Sequence, residues 1–265
     1  KHTAVMIDAL SSRGFSEISA IYLAVPSIVG NDQQTVIYAS NLEWNNVRPI
    51  EILKEYIPEG IPFIVENDAN LQAIASASAL SESTDLPDSF LYDFGNYGVG
   101  GALVQDGRIA RGANGWSGEI GHMVIDPNGE RCHCSALGCL ETFAGRQAML
   151  EKAGLPLDSD LSVLLKEAQE GNPSAVGAIK RAGWALGIAL TNAVNLLDVN
   201  HVILGNGLGQ LLPWMRDEIE RQLDNRLLGR DSKTVNIEGS LAGPNASATG
   251  GALEALQSRV SSPMP

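Results

Sequence analysis

The stretch of sequence that decides the fold is Glu119-Ile120-Gly121-His122, followed after nine residues by Cys132-His133-Cys134-Ser135-Ala136-Leu137-Gly138-Cys139-Leu140-Glu141. It holds all three cysteines of the chain, and an odd number of cysteines so close together is a poor disulfide framework. Zinc in structural sites binds four nitrogen or sulfur ligands, and three cysteines with one histidine form such a closed set. The stretch therefore predicts a structural zinc ion held by His122, Cys132, Cys134 and Cys139.

Two other interpretations of this cluster stay open. Three free cysteines could cluster by chance, although free cysteines usually scatter through cores as small apolar residues. His133 could replace His122 as the fourth ligand, but its ring would be strained between two ligating neighbours. With four protein ligands the ion has no open position for water, so we expect it to be structural and not catalytic.

A second set of residues has the chemistry of a polar ligand site, and its members are Asn67, Asp68, Glu119, His122 and Glu141. Asn67 and Asp68 stand where a predicted strand passes into a helix, and ligands of open α/β sheets bind at the carboxyl ends of strands. Acids and amides together suit a ligand with several hydroxyl groups, and Asp68 could act as a general base. Taken singly, Asp68 and Asn70 could instead cap a helix, and Glu119 and Glu141 could be solvated surface acids.

Two glycine clusters, Gly95 to Gly101 and Gly205 to Gly209, each follow a predicted buried strand. Glycines allow backbone amides to approach a phosphate group closely. We therefore mark Gly98, Gly100, Gly205 and Gly207 as candidate nucleotide-binding residues. Tight structural turns explain both clusters equally well on spacing alone.

The pattern of apolar residues predicts alternating strands and helices, and hence an α/β protein. Predicted strands cover residues 18–25, 61–65, 90–94, 99–105, 108–111, 201–204 and 234–237. Predicted helices cover residues 49–56, 68–80, 144–153, 161–170, 174–197, 211–227 and 246–259. With a hinge at 81–89, we expect an incomplete amino-terminal lobe of residues 1–87, joined by the closing helix at 246–265. Residues 88–245 form the predicted carboxy-terminal lobe with the zinc loop.

The bulk composition narrows the function. The chain has 265 residues and a net charge of −13, and so acidic a surface repels the phosphate backbone of DNA or RNA. We find no apolar run that could span a bilayer and no signal peptide, so we expect a cytoplasmic protein without a membrane partner. Because the chain starts at Lys1 and not at methionine, we also expect it to be a fragment.

These motifs resemble the signature of the ROK family, which groups sugar kinases with sugar-responsive repressors. Glu119-x-Gly121-His122 with Cys132-x-Cys134-x₄-Cys139-x-Glu141 is similar to the family's zinc motif. Glu66-Asn67-Asp68-Ala69-Asn70 is similar to its sugar-binding and catalytic segment, and Ser40-Asn41-Leu42-Glu43-Trp44 to a further segment near the sugar. The resemblance implies an actin-like ATPase (ribonuclease H-like) fold of two lobes, with the sugar bound between them.

The resemblance also implies roles for single residues. Asp68 would be the base that deprotonates a sugar hydroxyl. The other hydroxyls would be held by Asn41, Asn67, Glu119, His122 and Glu141. His122 would bind zinc as well, whereas ATP and Mg²⁺ would be cofactors only in a kinase.

Several departures from the family pattern favour a protein that has kept the sugar site and lost phosphoryl transfer. The family's first phosphate loop is not found in these residues. The second reads Gly95-Asn96-Tyr97-Gly98 without the usual threonine, and a bulky Tyr97 stands beside the phosphate path. Ser27 and Ser135 stand where the family has glycine.

We therefore expect the sugar-binding effector domain of a ROK transcriptional regulator. Its DNA would be bound by an upstream helix-turn-helix outside this chain, and a homodimer or higher oligomer would match a palindromic operator. The alternative is an ATP-dependent sugar kinase of the glucokinase or N-acetylhexosamine kinase type, with Asp68 as general base.

Overall fold

The computed structural model describes residues 18–39, 42–81, 87–95, 98–229 and 231–261. These residues form two compact units. Unit 1 holds the described residues up to Ala75, the segment Arg111–Trp116 and the residues from Asn245 onward. Unit 2 holds the described residues of Ser76–Ala110 and of Ser117–Pro244. The chain therefore returns to unit 1 at Arg111–Trp116, shortly before the residues 119–141 that hold His122 and the three cysteines (the Cys/His stretch).

Unit 1 is built on two parallel strands, β1 (Ile21–Val25) and β5 (Phe63–Asn67), in which Val25 lies opposite Asn67. Parallel pairing brings the carboxyl ends of both strands to one edge. The remaining elements are the antiparallel strands β2 (Ile28–Val29), β3 (Val36–Ala39) and β4 (Trp44–Val47), helix α1 (Pro49–Leu53) with a 3₁₀ turn at Lys54–Tyr56, helix α2 (Asp68–Ser81), which starts in unit 1, and the last helix, α8 (Ala246–Ser261).

Unit 2 is built on a five-stranded sheet. Its strands are β6 (Phe90–Gly95), β7 (Val99–Gln105), β8 (Arg108–Ile109), β9 (His201–Gly205) and β10 (Asn236–Gly239), arranged in the order β10-β9-β6-β7-β8. β6 is antiparallel to β7 and parallel to β9. The turn Asp106-Gly107 joins β7 to β8, and both turn residues have positive φ, as a two-residue hairpin turn requires.

The helices of unit 2 are α3 (Glu141–Ala144), α4 (Arg146–Ala153), α5 (Leu161–Gln169), α6 (Pro173–Leu197) and α7 (Asn206–Arg226). Most of the core of this unit lies around α6, which is rich in buried alanine and leucine. Small residues allow α7 to approach α6 closely: a Cβ added at Gly187 would lie 2.8 Å from the Gln222 side chain. None of the helices in the described part of the chain is long and apolar enough to span a membrane.

The predicted strands and helices are present, with shifts of a few residues at their ends. Helix α3 (Glu141–Ala144) was not predicted, and there are three further differences. β2, β3 and β4 were not predicted, because strands of two to four residues give too short a pattern. α7 begins at Asn206 and not at residue 211, so that Gly209 lies within its first turns. Only glycine fits there, because a Cβ would lie 2.4 Å from the Leu204 carbonyl oxygen. Finally, no sequence signal indicated that Arg111–Trp116 belongs with unit 1.

A buried acid lies in the middle of unit 2. Asp93, on the central strand β6, is fully buried opposite Gly101 of β7 and Leu204 of β9. Among the described residues, neither of its carboxyl oxygens has a well-aligned hydrogen-bond partner. Burial raises the pKa of Asp93 well above its usual range, and the adjacent Phe94 amide opposes this shift only in part. Burial therefore favours the protonated form of Asp93 in the folded chain.

We expect Asp93 to make stability depend on pH. Because its pKa is raised in the folded chain, its contribution is complete below the pKa of the unfolded chain and is lost as pH rises through the folded pKa. Between these two pKa values the loss is of the order of 1 kcal/mol per pH unit. From about pH 5 to about pH 9, the melting temperature of the wild type should fall more steeply than that of Asp93→Asn, which cannot ionise.

The matched control is Asp217→Asn, which changes an exposed aspartate on α7 of the same unit. Its melting temperature should follow the wild type across the pH range. Parallel curves for the wild type and Asp93→Asn would contradict the predicted ionisation.

Candidate functional site

The four residues predicted to bind zinc come together in unit 2. Their ligand atoms all lie within 4.8 Å of one another. The sulfurs of Cys134 and Cys139 are 3.6 Å apart, and the Cys132 sulfur is 3.8 Å from Nδ1 of His122. A tetrahedral ion with metal–sulfur bonds of about 2.3 Å holds its ligand atoms about 3.8 Å apart, so the spacing matches a four-coordinate metal site.

Two of the three thiols of this cluster, those of Cys132 and Cys139, have a raised pKa, so a bound cation would help them to lose their protons. Burial, with additions from the neighbouring thiols of Cys134 and Cys132, raises the pKa of Cys139 to about 12. Three thiolates this close would repel one another unless a cation neutralised them, so metal binding is coupled to proton release. His133, the alternative fourth ligand, is exposed and is not a member of the cluster.

Backbone contacts hold the Cys/His stretch in place with little regular secondary structure. The Ile125 amide donates to the Gly138 carbonyl and the Gly138 amide to the Glu130 carbonyl, each at 2.8 Å. Gly138 has a φ of +66°, and a Cβ there would lie 1.6 Å from the Asp126 carbonyl oxygen. Ser135 has a φ of 77°, in the left-handed region that favours glycine. The positive φ at position 135 suits glycine better than serine, which agrees with the glycine expected there from the family resemblance.

Of the predicted site residues, His122 belongs to the metal cluster, and Glu119 and Glu141 lie beside it. Glu119 immediately precedes the 3₁₀ turn Ile120–His122, and Glu141 is the first residue of α3. Burial raises the pKa of Glu119, while His122 opposes this shift and Glu141 adds to it, so the three side chains are within electrostatic range. Because Nδ1 of His122 faces Cys132, its Nε2 is left for another partner.

Gly98 and the first residue of β7 accommodate the Glu141 side chain. The Val99 amide donates a hydrogen bond of 3.1 Å to Oε2 of Glu141. A Cβ at Gly98 would lie 2.1 Å from the same oxygen, so this glycine leaves room for the carboxylate. A phosphate group at the Val99 amide would have to displace Glu141 and would be repelled by its charge. Tyr97, whose bulk was predicted to crowd the phosphate path, lies outside the described residues.

A cavity of about 590 Å³ opens within unit 2 at the carboxyl ends of β6 and β9. Its lining includes Gly95, Asn206, Gly207 and Gly239, and its size suits a small organic ligand. Gly207 is therefore the one of the four predicted nucleotide-binding glycines that lines this cavity.

Packing explains two of the other three glycines. A Cβ at Gly205 would collide with the ring and hydroxyl of Tyr92, and a Cβ at Gly100 would lie 2.6 Å from the Phe94 ring. Both glycines leave room for aromatic side chains of β6, so their presence does not indicate a nucleotide site.

In unit 1, Asn67 and Asp68 lie half-buried at the junction of β5 and α2. Oδ1 of Asn67 accepts hydrogen bonds from the amides of Ala69 (2.7 Å) and Asn70 (3.3 Å), so Asn67 caps α2. Nδ2 of Asn67 donates to the Ser27 carbonyl oxygen at 2.8 Å. The helix-capping role that the sequence suggested for Asp68 or Asn70 is thus carried by Asn67, with its side chain fixed at the strand edge.

A buried carboxylate supports this junction. Glu66 is 2% exposed, and its oxygens accept hydrogen bonds from side chains of three separate segments and from one amide. The donors are Gln33 Nε2 (2.9 Å), Asn70 Nδ2 (2.7 Å), the Arg111 guanidinium (Nε 3.1 Å, Nη2 2.5 Å) and the Asn67 amide (3.0 Å). These donors occupy the hydrogen-bonding capacity of a carboxylate, so Glu66 positions its neighbours and does not bind ligand itself.

Sequence reasoning placed Glu66 in the predicted sugar-binding segment without a role of its own, and it missed Gln33 and Arg111 as members of the site. The sequence did indicate that Glu66 would need a hydrogen-bond partner, because it is a charged residue at the end of an apolar strand. Gln33 and Arg111 gave no such indication, because each is far from Glu66 in the sequence. Asn41, predicted to contact the sugar, lies outside the described residues.

Comparison with known proteins connects this arrangement to one family. The profile of the ROK family matches residues 2–258. The chain is 29% identical over 234 residues to the xylose repressor of Bacillus subtilis (strain 168), an alignment that covers 87% of this chain and 59% of the repressor. It is 31% identical over 225 residues to the DNA-binding transcriptional dual regulator NagC of Escherichia coli (strain K12), covering 79% and 54%. The chain thus spans somewhat more than half the length of these relatives.

Two solved structures are similar over 96% of the chain. One is a ROK family glucokinase from Streptomyces griseus in complex with glucose and AMPPNP, with a TM-score of 0.80, 22% identity and 87% of that chain covered. The other is a ROK family transcriptional regulator, a homologue of the E. coli MLC protein, with a TM-score of 0.79, 26% identity and 67% of that chain covered. The actin-like ATPase fold that the motifs implied is confirmed.

The geometry of the Cys/His cluster predicts one bound metal ion per chain. Elemental analysis of protein purified without chelators should find about one equivalent, and Cys134→Ser should reduce it strongly. The control is His133→Ala, which changes an exposed neighbour outside the cluster and should keep the metal. Metal-free wild-type protein, or equal loss in both variants, would contradict the assignment of ligands.

Proposed function

We propose, on the premise that the chain belongs to the ROK family, that it is the sugar-binding effector domain of a transcriptional regulator. The observation that carries this proposal is the hydrogen bond between the Val99 amide and Glu141. A kinase needs such loop amides for phosphate, whereas here a carboxylate takes one of them. The residues proposed to bind the sugar, by contrast, are all present: three acids, an amide and a histidine.

Similarity to repressors supports the same choice. The Bacillus subtilis relative is a xylose repressor and the E. coli relative a transcriptional regulator, each aligned over most of this chain. A net charge of −13 does not suit a DNA-binding surface. Operator binding therefore belongs, in this proposal, to a helix-turn-helix outside these residues, in a homodimeric or larger cytoplasmic assembly.

The proposed metal is zinc in a structural role. Cys₃His is a closed set of four ligands, which leaves no position for a reacting water molecule. The ion would fix the stretch that carries Glu119 at one end and Glu141 at the other. It would also hold His122 by Nδ1, so that Nε2 could meet a sugar hydroxyl.

The proposed sugar ligands are Asn67, Asp68, Glu119, His122 and Glu141, with Asn41 as a further ligand on the family resemblance. Sugar would regulate by binding one of two conformations more tightly than the other, since a ligand shifts an equilibrium only through different affinities.

The second candidate function is an ATP-dependent sugar kinase, and the cavity of unit 2 favours it. Its glycine-lined walls at Gly95, Gly207 and Gly239 would admit a nucleotide, with Mg²⁺ on the phosphates. Asp68 would then act as the general base on the sugar hydroxyl.

The proposed sugar site predicts thermal stabilisation by a monosaccharide. At least one of D-xylose, D-glucose and N-acetyl-D-glucosamine should raise the melting temperature. Glu119→Gln and Glu141→Gln each replace a proposed hydrogen-bond acceptor by an isosteric amide, which should weaken binding by about tenfold or more in a calorimetric titration.

The control for these variants is Glu151→Gln, an exposed glutamate on α4 of the same unit. It should bind sugar with wild-type affinity. A sugar response that survives both Glu119→Gln and Glu141→Gln would place the ligand elsewhere.

The regulator proposal also predicts that the protein does not phosphorylate sugar. Phosphoryl transfer depends on holding the phosphate and its magnesium in line with the attacking hydroxyl. A coupled ADP-release assay on the full-length protein with the same three sugars should stay at background. Turnover near 1 s⁻¹, roughly the lower end for kinases, that disappears in Asp68→Asn would establish the kinase instead.

A further inference from the structure

One buried hydroxyl group in unit 1 lacks a partner. Ser27 is 8% exposed, and among the described residues its Oγ has no hydrogen-bond partner. Leaving a buried hydroxyl unpaired costs about 1–3 kcal/mol. Because most buried polar groups are paired, an unpaired one calls for a specific reason.

The position of Ser27 supplies that reason. Ser27 follows β1 by two residues, and the last residue of β1, Val25, is paired with Asn67. The carboxyl ends of parallel strands are where α/β proteins bind ligands. Moreover, the Ser27 carbonyl accepts the hydrogen bond from Nδ2 of Asn67. The unpaired hydroxyl is therefore tied through its own backbone to a proposed sugar ligand.

The surroundings of Ser27 are held from several sides. Asn67 is fixed by capping α2, and the preceding Glu66 is bound by Arg111 and Gln33. Gln33 adopts a φ of 49° in doing so, an unfavourable conformation for a residue other than glycine. Among the described residues, a side chain in so rigid a setting has no partner to turn to, and a ligand hydroxyl at this strand edge would satisfy it.

We propose that the Ser27 hydroxyl binds a hydroxyl group of the sugar directly and is a specificity-determining residue of the site; this rests on the sugar-binding function proposed above. A serine hydroxyl both donates and accepts, as does a sugar hydroxyl, so the two are complementary. A site that hydrogen-bonds a substrate hydroxyl rejects analogues without it, because its own group is then left unpaired. Glycine, the residue usual at this position in the family that the sequence resembles, lacks this contact.

A purely structural serine and a ligand-binding serine predict opposite results for Ser27→Ala. If the hydroxyl waits for a ligand, its removal relieves an unpaired group, and the melting temperature without sugar should stay the same or rise. The affinity for the sugar that binds, among D-xylose, D-glucose and N-acetyl-D-glucosamine, should fall by about five- to thirtyfold. Ser27→Gly should show the same loss of affinity and provides a second variant if Ser27→Ala misfolds.

The matched control is Ser76→Ala. Ser76 is also buried, but its hydroxyl is paired with that of Ser240 at 2.6 Å. This variant should lose melting temperature and keep its sugar affinity, the reverse of the pattern expected for Ser27→Ala.

Monodeoxy derivatives of the bound sugar identify the contacted hydroxyl. One derivative should bind the wild type weakly and lose nothing further in Ser27→Ala, as expected for two partners of one hydrogen bond. If the wild type binds sugar and Ser27→Ala binds it equally well, the role of Ser27 is wrong and the proposed function stands. If Ser27→Ala loses melting temperature as Ser76→Ala does, the serine is structural. If the wild type binds none of the three sugars, the proposed function fails and the role of Ser27 fails with it.

Discussion

The buried carboxylate of Glu66 is the interaction on which the candidate site of unit 1 depends. A charge removed from water is costly unless partners surround it, and removing one partner of a buried ion pair costs several kcal/mol, roughly 3–5. Arg111 supplies the compensating charge, and Gln33, Asn70 and the Asn67 amide complete the hydrogen bonding. The requirement to satisfy one carboxylate therefore fixes the loop before β3, the segment Arg111–Trp116 and the start of α2 at the same time.

In unit 2 the backbone that carries the candidate site residues is held in place by a different interaction. Its polar residues sit on a stretch with little regular secondary structure, and a cluster of three sulfurs and one imidazole nitrogen draws that stretch together. Glycine at position 138 allows the backbone to pass within contact of Asp126. In both units a residue proposed to bind the ligand also holds the backbone in place: Asn67 caps α2, and His122 belongs to the metal cluster. Preorganisation of this kind reduces the cost of ordering side chains when a ligand binds.

The sequence predicted the parts of the molecule whose signals are local. The metal ligands were found because four residues of the right type lie within eighteen positions, and β5 and α2 because their apolar patterns are continuous. Contacts between distant segments were missed. Arg111 and Gln33 lie 45 and 33 residues from Glu66, and neither has a local pattern that indicates its partner. Ser27 was visible as a departure from the family, but the unpaired state of its hydroxyl is a property of the fold alone.

Signalling by a sugar and transfer of a phosphate make different demands on one binding site. To move an equilibrium from one state to the other almost completely, a ligand must bind the favoured state about 10⁴-fold more tightly, or roughly 5.5 kcal/mol. One buried hydrogen bond contributes about 1–3 kcal/mol, so several contacts must form in only one state. A site with acids, an amide, an imidazole and a serine hydroxyl has enough groups for this purpose. Phosphoryl transfer would need the Val99 amide as well, and Glu141 already accepts its hydrogen bond. In the proposed regulator, Glu141 would therefore serve sugar binding at the expense of phosphate binding, which is the combination that such a regulator requires.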